Sequence, residues 1–148
     1  MDGEEANPQR GLEFARELAG RKNSKSKVSD PFVFGAVISL GLCLDLTTSA
    51  GISLVKATYV TAKKIFSSAN LVMPKNNQDG LRRNLDCAII NLLHLIREDD
   101  GEQKVDTIKG VFIEGKPAYP EAGFHEKTHI QICVRNPACI KGVFRVPS

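Results

Sequence analysis

The chain has 148 residues, 42% of them apolar and 25% charged, and its 20 Lys and Arg against 17 Asp and Glu leave a formal net charge of +3. That composition excludes wholesale disorder and a fibrous chain, and it predicts a single domain whose core removes roughly two thirds of the unfolded surface from water. The charge excess is too small to require a nucleic-acid partner; it permits one without indicating it.

Pro8 at a first helical position, with Asn7 as its N-cap, opens a helix whose apolar stripe is Leu12, Phe14, Ala15, Leu18 and Ala19 and which ends near Gly20. Residues 21–30 are basic, Ser-rich and aperiodic, which predicts a surface loop. Its Lys22, Lys25 and Lys27, with Arg82 and Arg83, are the cations a nucleic-acid reading would use. Residues 32–40 follow Pro31 and are apolar almost throughout, so a buried strand is expected, extended by residues 42–46 past a kink at Gly41. The whole run is broken by Gly35, Ser39 and Gly41 and falls short of the roughly 20 residues that cross a bilayer, so no membrane partner is expected. Met1 is followed by Asp2, Glu4 and Glu5 rather than by a basic and then apolar segment, which predicts a cytoplasmic protein.

Thr47, Thr48 and Ser49 offer N-caps for a helix reaching Phe66, with Ile52, Val55, Tyr59, Ala62, Ile65 and Phe66 inward and Lys56, Lys63 and Lys64 outward. Asp45, just before the caps, reads as a turn or capping carboxylate and not a catalytic one. Residues 70–80 are turn chemistry. Residues 81–97 form the clearest helix, burying Leu85, Ala88, Ile89, Leu92, Leu93 and Ile96. Arg82 and Arg83 in its first turn read as solvated, with a phosphate contact as the alternative, and His94 as a boundary residue. An acidic loop over 97–106 leads to a strand over 107–114 and a turn at Glu114-Gly115-Lys116-Pro117. Residues 118–123 carry Tyr119 in an irregular stretch suited to a flap over a cleft. Cys43, Cys87, Cys133 and Cys139 lie in apolar surroundings without a CxxC pair, the pattern of reduced, buried thiols.

Residues 123–146 read as two strands joined at a Pro-containing corner. From Lys127 the residues alternate: Thr128, Ile130, Ile132 and Val134 share one face, expected to be buried, and His129, Gln131, Cys133 and Arg135 share the other. A zinc site on His125, His129, Cys133 and Cys139 is disfavoured because four residues of strand span about 13 Å. No GxGxxG, Walker, HExxH or GxSxG motif is present. What remains is Phe124, Glu126, His129 and Gln131 beside the Tyr119 loop. An amide or carboxylate for a ribose hydroxyl, next to an aromatic for a planar ring, is the minimum equipment for a nucleotide.

Four segments, NPQRGLEFARELA, FGAVISLGLCLDL, LDCAIINLLHLIRE and GVFIEGKPAYPEAGFHEKTHIQICVRNPACIKGVFR, carry a resemblance to bacterial ADP-ribosyltransferase-like proteins of the PARP-type lineage, among them toxins and effectors. The resemblance implies an α+β fold with a split two-sheet core and packed helices, and transfer of ADP-ribose from NAD to a macromolecule. It also implies that a late strand meets the reacting ribose. Here that strand is residues 128–135, with Gln131, His129 and Glu126 as catalytic candidates and Tyr119 and Phe124 as NAD-binding ones. In that family a His-Gly strand and a Gly-Tyr strand precede the first segment, whereas only MDGEEA precedes it here. The comparison therefore implies a truncated member of weak or no activity, with Tyr59 and Tyr119 in the wrong context to substitute. Two alternatives stand beside it: a non-catalytic interaction module that self-associates through an exposed sheet edge, and a weak nucleic-acid binder.

Overall fold

The computed structural model describes residues 8–20, 30–77 and 82–146. Asn7, Leu81 and the basic segment over 21–29 lie outside them. The elements run α1 (Pro8–Ala19), β1 (Phe34–Ile38), β2 (Cys43–Asp45), α2 (Ser49–Ser68), α3 (Asn84–Asp99), β3 (Thr107–Phe112), β4 (His129–Val134), a 3-10 turn (Pro137–Cys139) and β5 (Ile140–Arg145). The architecture is mixed α+β, with three helices and two small sheets, β1-β5 and β2-β3-β4. No described helix is long and apolar enough to cross a membrane. Residues 40–136 form one compact unit, and the described residues on either side of them form another.

In the first unit β2 runs parallel to β3, and β4 runs antiparallel to β3. Leu44, Leu93 and Val105 are buried together, with Leu46, Val55, Ile90 and Ile108 packed against them. Local chemistry sets the ends of both helices. Thr48 caps α2 by accepting from the Gly51 N–H at 3.1 Å, and the Thr48 hydroxyl donates to the Asp45 carbonyl at 2.8 Å. Asp45 is the turn carboxylate the sequence predicts: it accepts the Thr47 N–H at 2.8 Å and the Thr47 hydroxyl at 2.6 Å. Those two bonds, with Lys109 nearby, hold its pKa below the ordinary carboxylate value. At the far end of α3 the Gly101 N–H reaches the Glu98 carbonyl and the Glu102 N–H the Arg97 carbonyl, with Gly101 at φ 69°. This is the left-handed helix stop for which glycine is the usual residue.

Along α2 the predicted inward pattern holds at Val55 and Ala62 and fails at Ile52, Tyr59 and Ile65. Gly51, Thr58 and Ala62 are the buried positions, while Ile52, Tyr59 and Ile65 are exposed. Thr58 tolerates burial because its hydroxyl donates to the Leu54 carbonyl at 2.9 Å, so small residues, not the bulky ones, make the close approach.

The β3–β4 register sets which face of β4 lies toward the helices. Paired residues share a face, so Ile108 with Cys133, Gly110 with Gln131 and Phe112 with His129 lie on the side of Leu44, which pairs with Ile108. Leu44 and Ile108 belong to the helix-covered core, so the polar residues of β4 lie on the helix side. Neither face of β4 is closed: Gln131 and Cys133 are exposed on the helix side, and on the aliphatic side Ile130 is 45% exposed while Ile132 and Val134 are half-buried. Alternation along β4 assigns residues to faces; only the neighbouring strand decides which face looks toward the helices.

In the second unit β1 pairs antiparallel with β5, from Phe34↔Arg145 to Ile38↔Ile140, with a bulge at Val37/Ile38. The strand predicted as buried is therefore short and open, with Phe34 60% and Val37 56% exposed. It ends at Ile38, Gly41 follows with a φ of 58°, and β2 belongs to the other sheet. The thiols also depart from expectation. Cys139 is buried and Cys43 half-buried, but Cys87 and Cys133 are exposed, because an edge strand and the outer side of α3 leave them uncovered.

Candidate functional site

Four side chains from three elements meet on the helix side of the β2-β3-β4 sheet. Phe112 closes β3 opposite His129, and their rings stack with centroids 6.2 Å apart and planes 24° from parallel. The Arg83 guanidinium lies 4.7 Å from the Phe112 centroid, and its Nε donates to Asp86 Oδ2 at 2.6 Å. Arg83 is thus fixed by an aromatic face and a carboxylate at once.

Its position follows from how α3 begins. Arg83 is the N-cap residue yet makes no side-chain cap bond. The cap comes instead from Asn76, whose Oδ1 accepts the N–H groups of Leu85 at 2.9 Å and Asp86 at 3.3 Å. An Asn76↔Arg83 bridge and the Asn77 N–H to Arg82 carbonyl bond of 2.8 Å tie the preceding segment to the helix start. The arginine is released from capping and left free to cover Phe112.

The polar pair on β4 is ordered by its own bonds. His129 Nδ1 donates to the Lys127 carbonyl at 2.8 Å, and Gln131 Nε2 donates to His129 Nε2 at 2.7 Å. Gln131, exposed at the sheet edge, keeps its amide oxygen as the acceptor of the pair.

The other predicted site residues lie apart from this cluster. Tyr119 and Phe124 share a loop closed by the Pro117↔His125 bridge and by the Ala118 N–H to Phe124 carbonyl bond of 2.9 Å, and both rings are exposed. Glu126 anchors the same loop through its N–H to the Lys116 carbonyl, while its carboxylate makes no bond or ion pair with a described residue. His125 Nδ1 donates to the Gly115 carbonyl at 3.1 Å. Among the described residues no three His, Cys, Asp or Glu side chains converge as metal ligands. The residues that sequence reasoning passed over are Phe112 and Asn76, and it set Arg83 down as solvated. Phe112 was findable only through the β3–β4 register, and Asn76 only through a contact to the next helix.

A groove of about 560 Å³ lies elsewhere in this unit, between α2 and α3, lined by Ile52, Val55, Tyr59, Leu85 and Ile89 together with Arg83 and Asp86. None of Tyr119, Phe124, Glu126, His129 and Gln131 lines it. The chain matches no protein-family model, no curated protein and no solved structure.

Proposed function

We propose that this chain carries one wall of an ADP-ribosyltransferase-like NAD site on a split two-sheet core, and that it transfers ADP-ribose slowly to a macromolecular acceptor. One observation supports the reading: Arg83, Phe112, His129 and Gln131 lie side by side at the strand to which the sequence resemblance assigns the reacting ribose. The chemistry of each group suits a dinucleotide. Gln131 Oε1 accepts a ribose hydroxyl, the Arg83 guanidinium pairs with the pyrophosphate, and the Phe112–His129 stack offers a flat apolar wall. Tyr119 and Phe124 are exposed aromatics available to cover the nicotinamide ring.

Breaking the nicotinamide–ribose bond builds positive charge on the ribose, and a fixed carboxylate stabilises that charge better than a neutral amide does. The residue in the strand is an amide, and the nearest carboxylate in sequence, Glu126, sits on the loop before it. Binding with slow turnover is the expected result.

Calorimetric titration with NAD tests this. A Kd on the order of 0.1–1 mM is expected, raised about tenfold or more in Gln131→Ala and in Arg83→Ala while circular dichroism stays unchanged. Absence of saturable NAD binding, or variants that bind as well as the parent chain, would sink the proposal.

A further inference from the structure

Away from that cluster, α2 presents a flank with an unusual charge pattern. Lys56, Val60, Lys63, Lys64 and Ser67 follow one another at helical spacings of four, three, one and three residues, so they occupy one side of the helix. The helix contains no Asp or Glu. None of its three lysines forms an ion pair with a described residue. Beside this flank runs the apolar α2–α3 groove, and Val60 carries it on into a shallower depression lined by Lys63, Lys64, Ser67 and Ser68. Ile52 and Tyr59 remain 41% exposed and Val60 53% exposed, so apolar area is left open to solvent next to unneutralised cations.

We infer that this groove receives an acidic amphipathic helix from a partner protein. Lys56 to Lys64 covers about 12 Å of helix at 1.5 Å per residue, so the positive charge is a row and not a point. A helix laid along the groove places apolar side chains at i, i+3 or i+4 and i+7 on Ile52, Tyr59, Val60 and Leu85, and its flanking carboxylates meet the lysine row. Other occupants match less of the surface. A single-headed carboxylate amphiphile leaves two of the three lysines unpaired. A planar bilayer does not reach the floor of a concave groove. A phosphate backbone pairs with the lysines but leaves the apolar floor exposed to water. The inference does not depend on the NAD reading: of that cluster only Arg83 lines the groove, and the argument rests on the α2 lysine row and the apolar floor.

The test uses the full chain and a fluorescein-labelled synthetic helix with Leu at i, i+3 and i+7 and Glu along both flanks, read by fluorescence anisotropy. Saturable one-to-one binding is expected, weakened about tenfold when every Glu of the peptide is Gln, and by a similar factor in the Lys56→Glu/Lys63→Glu chain. Ile52→Asn, at a position already exposed, is expected to weaken the peptide without altering the circular dichroism spectrum. The inference is overturned if the Glu peptide fails to bind, if the Gln peptide binds equally well, or if charge reversal on α2 has no effect. Preference of the chain for phosphatidylserine vesicles or duplex RNA over the peptide overturns it as well.

Discussion

Arg135 Nη1 lies 3.2 Å from His94 Nδ1 and also donates to the Val105 carbonyl at 3.1 Å. An arginine has no lone pair to offer, so the imidazole nitrogen facing it accepts and His94 is neutral. Its Nε2 is buried with no hydrogen-bond partner among the described residues. Burial first, then the charges of Arg135 and Arg97, hold the His94 pKa below its ordinary value. In the unfolded chain the same histidine takes up a proton near pH 6.5, so below that pH the unfolded state binds the proton more readily than the folded one. The stability from a neutral His94 is therefore fully present above about pH 6.5 and is lost as pH falls toward the lower folded pKa. Thermal melts from pH 8 to pH 5 are expected to show a falling Tm in the parent chain and a flatter profile in His94→Asn, which keeps an acceptor for Arg135 but does not titrate. Parallel profiles would assign the acid sensitivity to other groups.

At the scale of elements, the start of α3 rests on a side chain from another segment. Asn76→Ala leaves the Leu85 and Asp86 N–H groups without their acceptor, a loss of about 1 kcal/mol by comparison with ordinary N-caps. A Tm lower by roughly 2–8 °C is expected, together with weaker NAD binding, because the segment that places Arg83 over Phe112 is released. Asn76→Asp, which keeps the acceptor, is expected to restore both. The comparison separates a capping role from a bystander: equal Tm values for the Ala and Asp variants would remove Asn76 from the helix start. Bonds that stay within one turn were legible in the sequence, and those that cross the fold were not. Thr48 as the cap of α2, Asp45 as a turn carboxylate and the Leu85–Leu93 face of α3 all follow from spacing alone. The Asn76 cap, the buried Thr58 and the helix-facing side of β4 depend on which element lies alongside. His129 and Gln131 were likewise legible as neighbours on one face, since a strand repeats every two residues. Phe112 became their partner only once β3 was placed in register.

Across the whole molecule, apolar residues are spread unevenly over the strands. β3 has a neighbour on each side, and Thr107 at its start is fully buried, its hydroxyl donating to the Leu40 carbonyl at 2.6 Å. Asp106 just before it accepts the Leu42 N–H and the Asn136 side chain, both at 2.8 Å, so the segments entering β2 and leaving β4 are pinned to the same strand. β1 and β5 have only each other among the described residues, and every residue of β5 is exposed. The composition of residues 32–40 conceals this difference, because an apolar run reads the same whether it lies between two strands or in a two-stranded ribbon. Isolated two-stranded pairs are marginal, and local opening begins where backbone bonds are most exposed. Hydrogen exchange followed by mass spectrometry is thus expected to give the slowest strand amides in β3, with those of β1 and β5 exchanging orders of magnitude faster. Leu93→Ala, which empties the centre of the β3-side core at a cost of about 2–5 kcal/mol, is expected to speed β3 toward the rate of β1. If the two strand sets exchange alike in the parent chain, the β1–β5 ribbon is held by something beyond its own pairing, and the exposed Phe34, Val37 and Val143 are then the first surfaces to search for it.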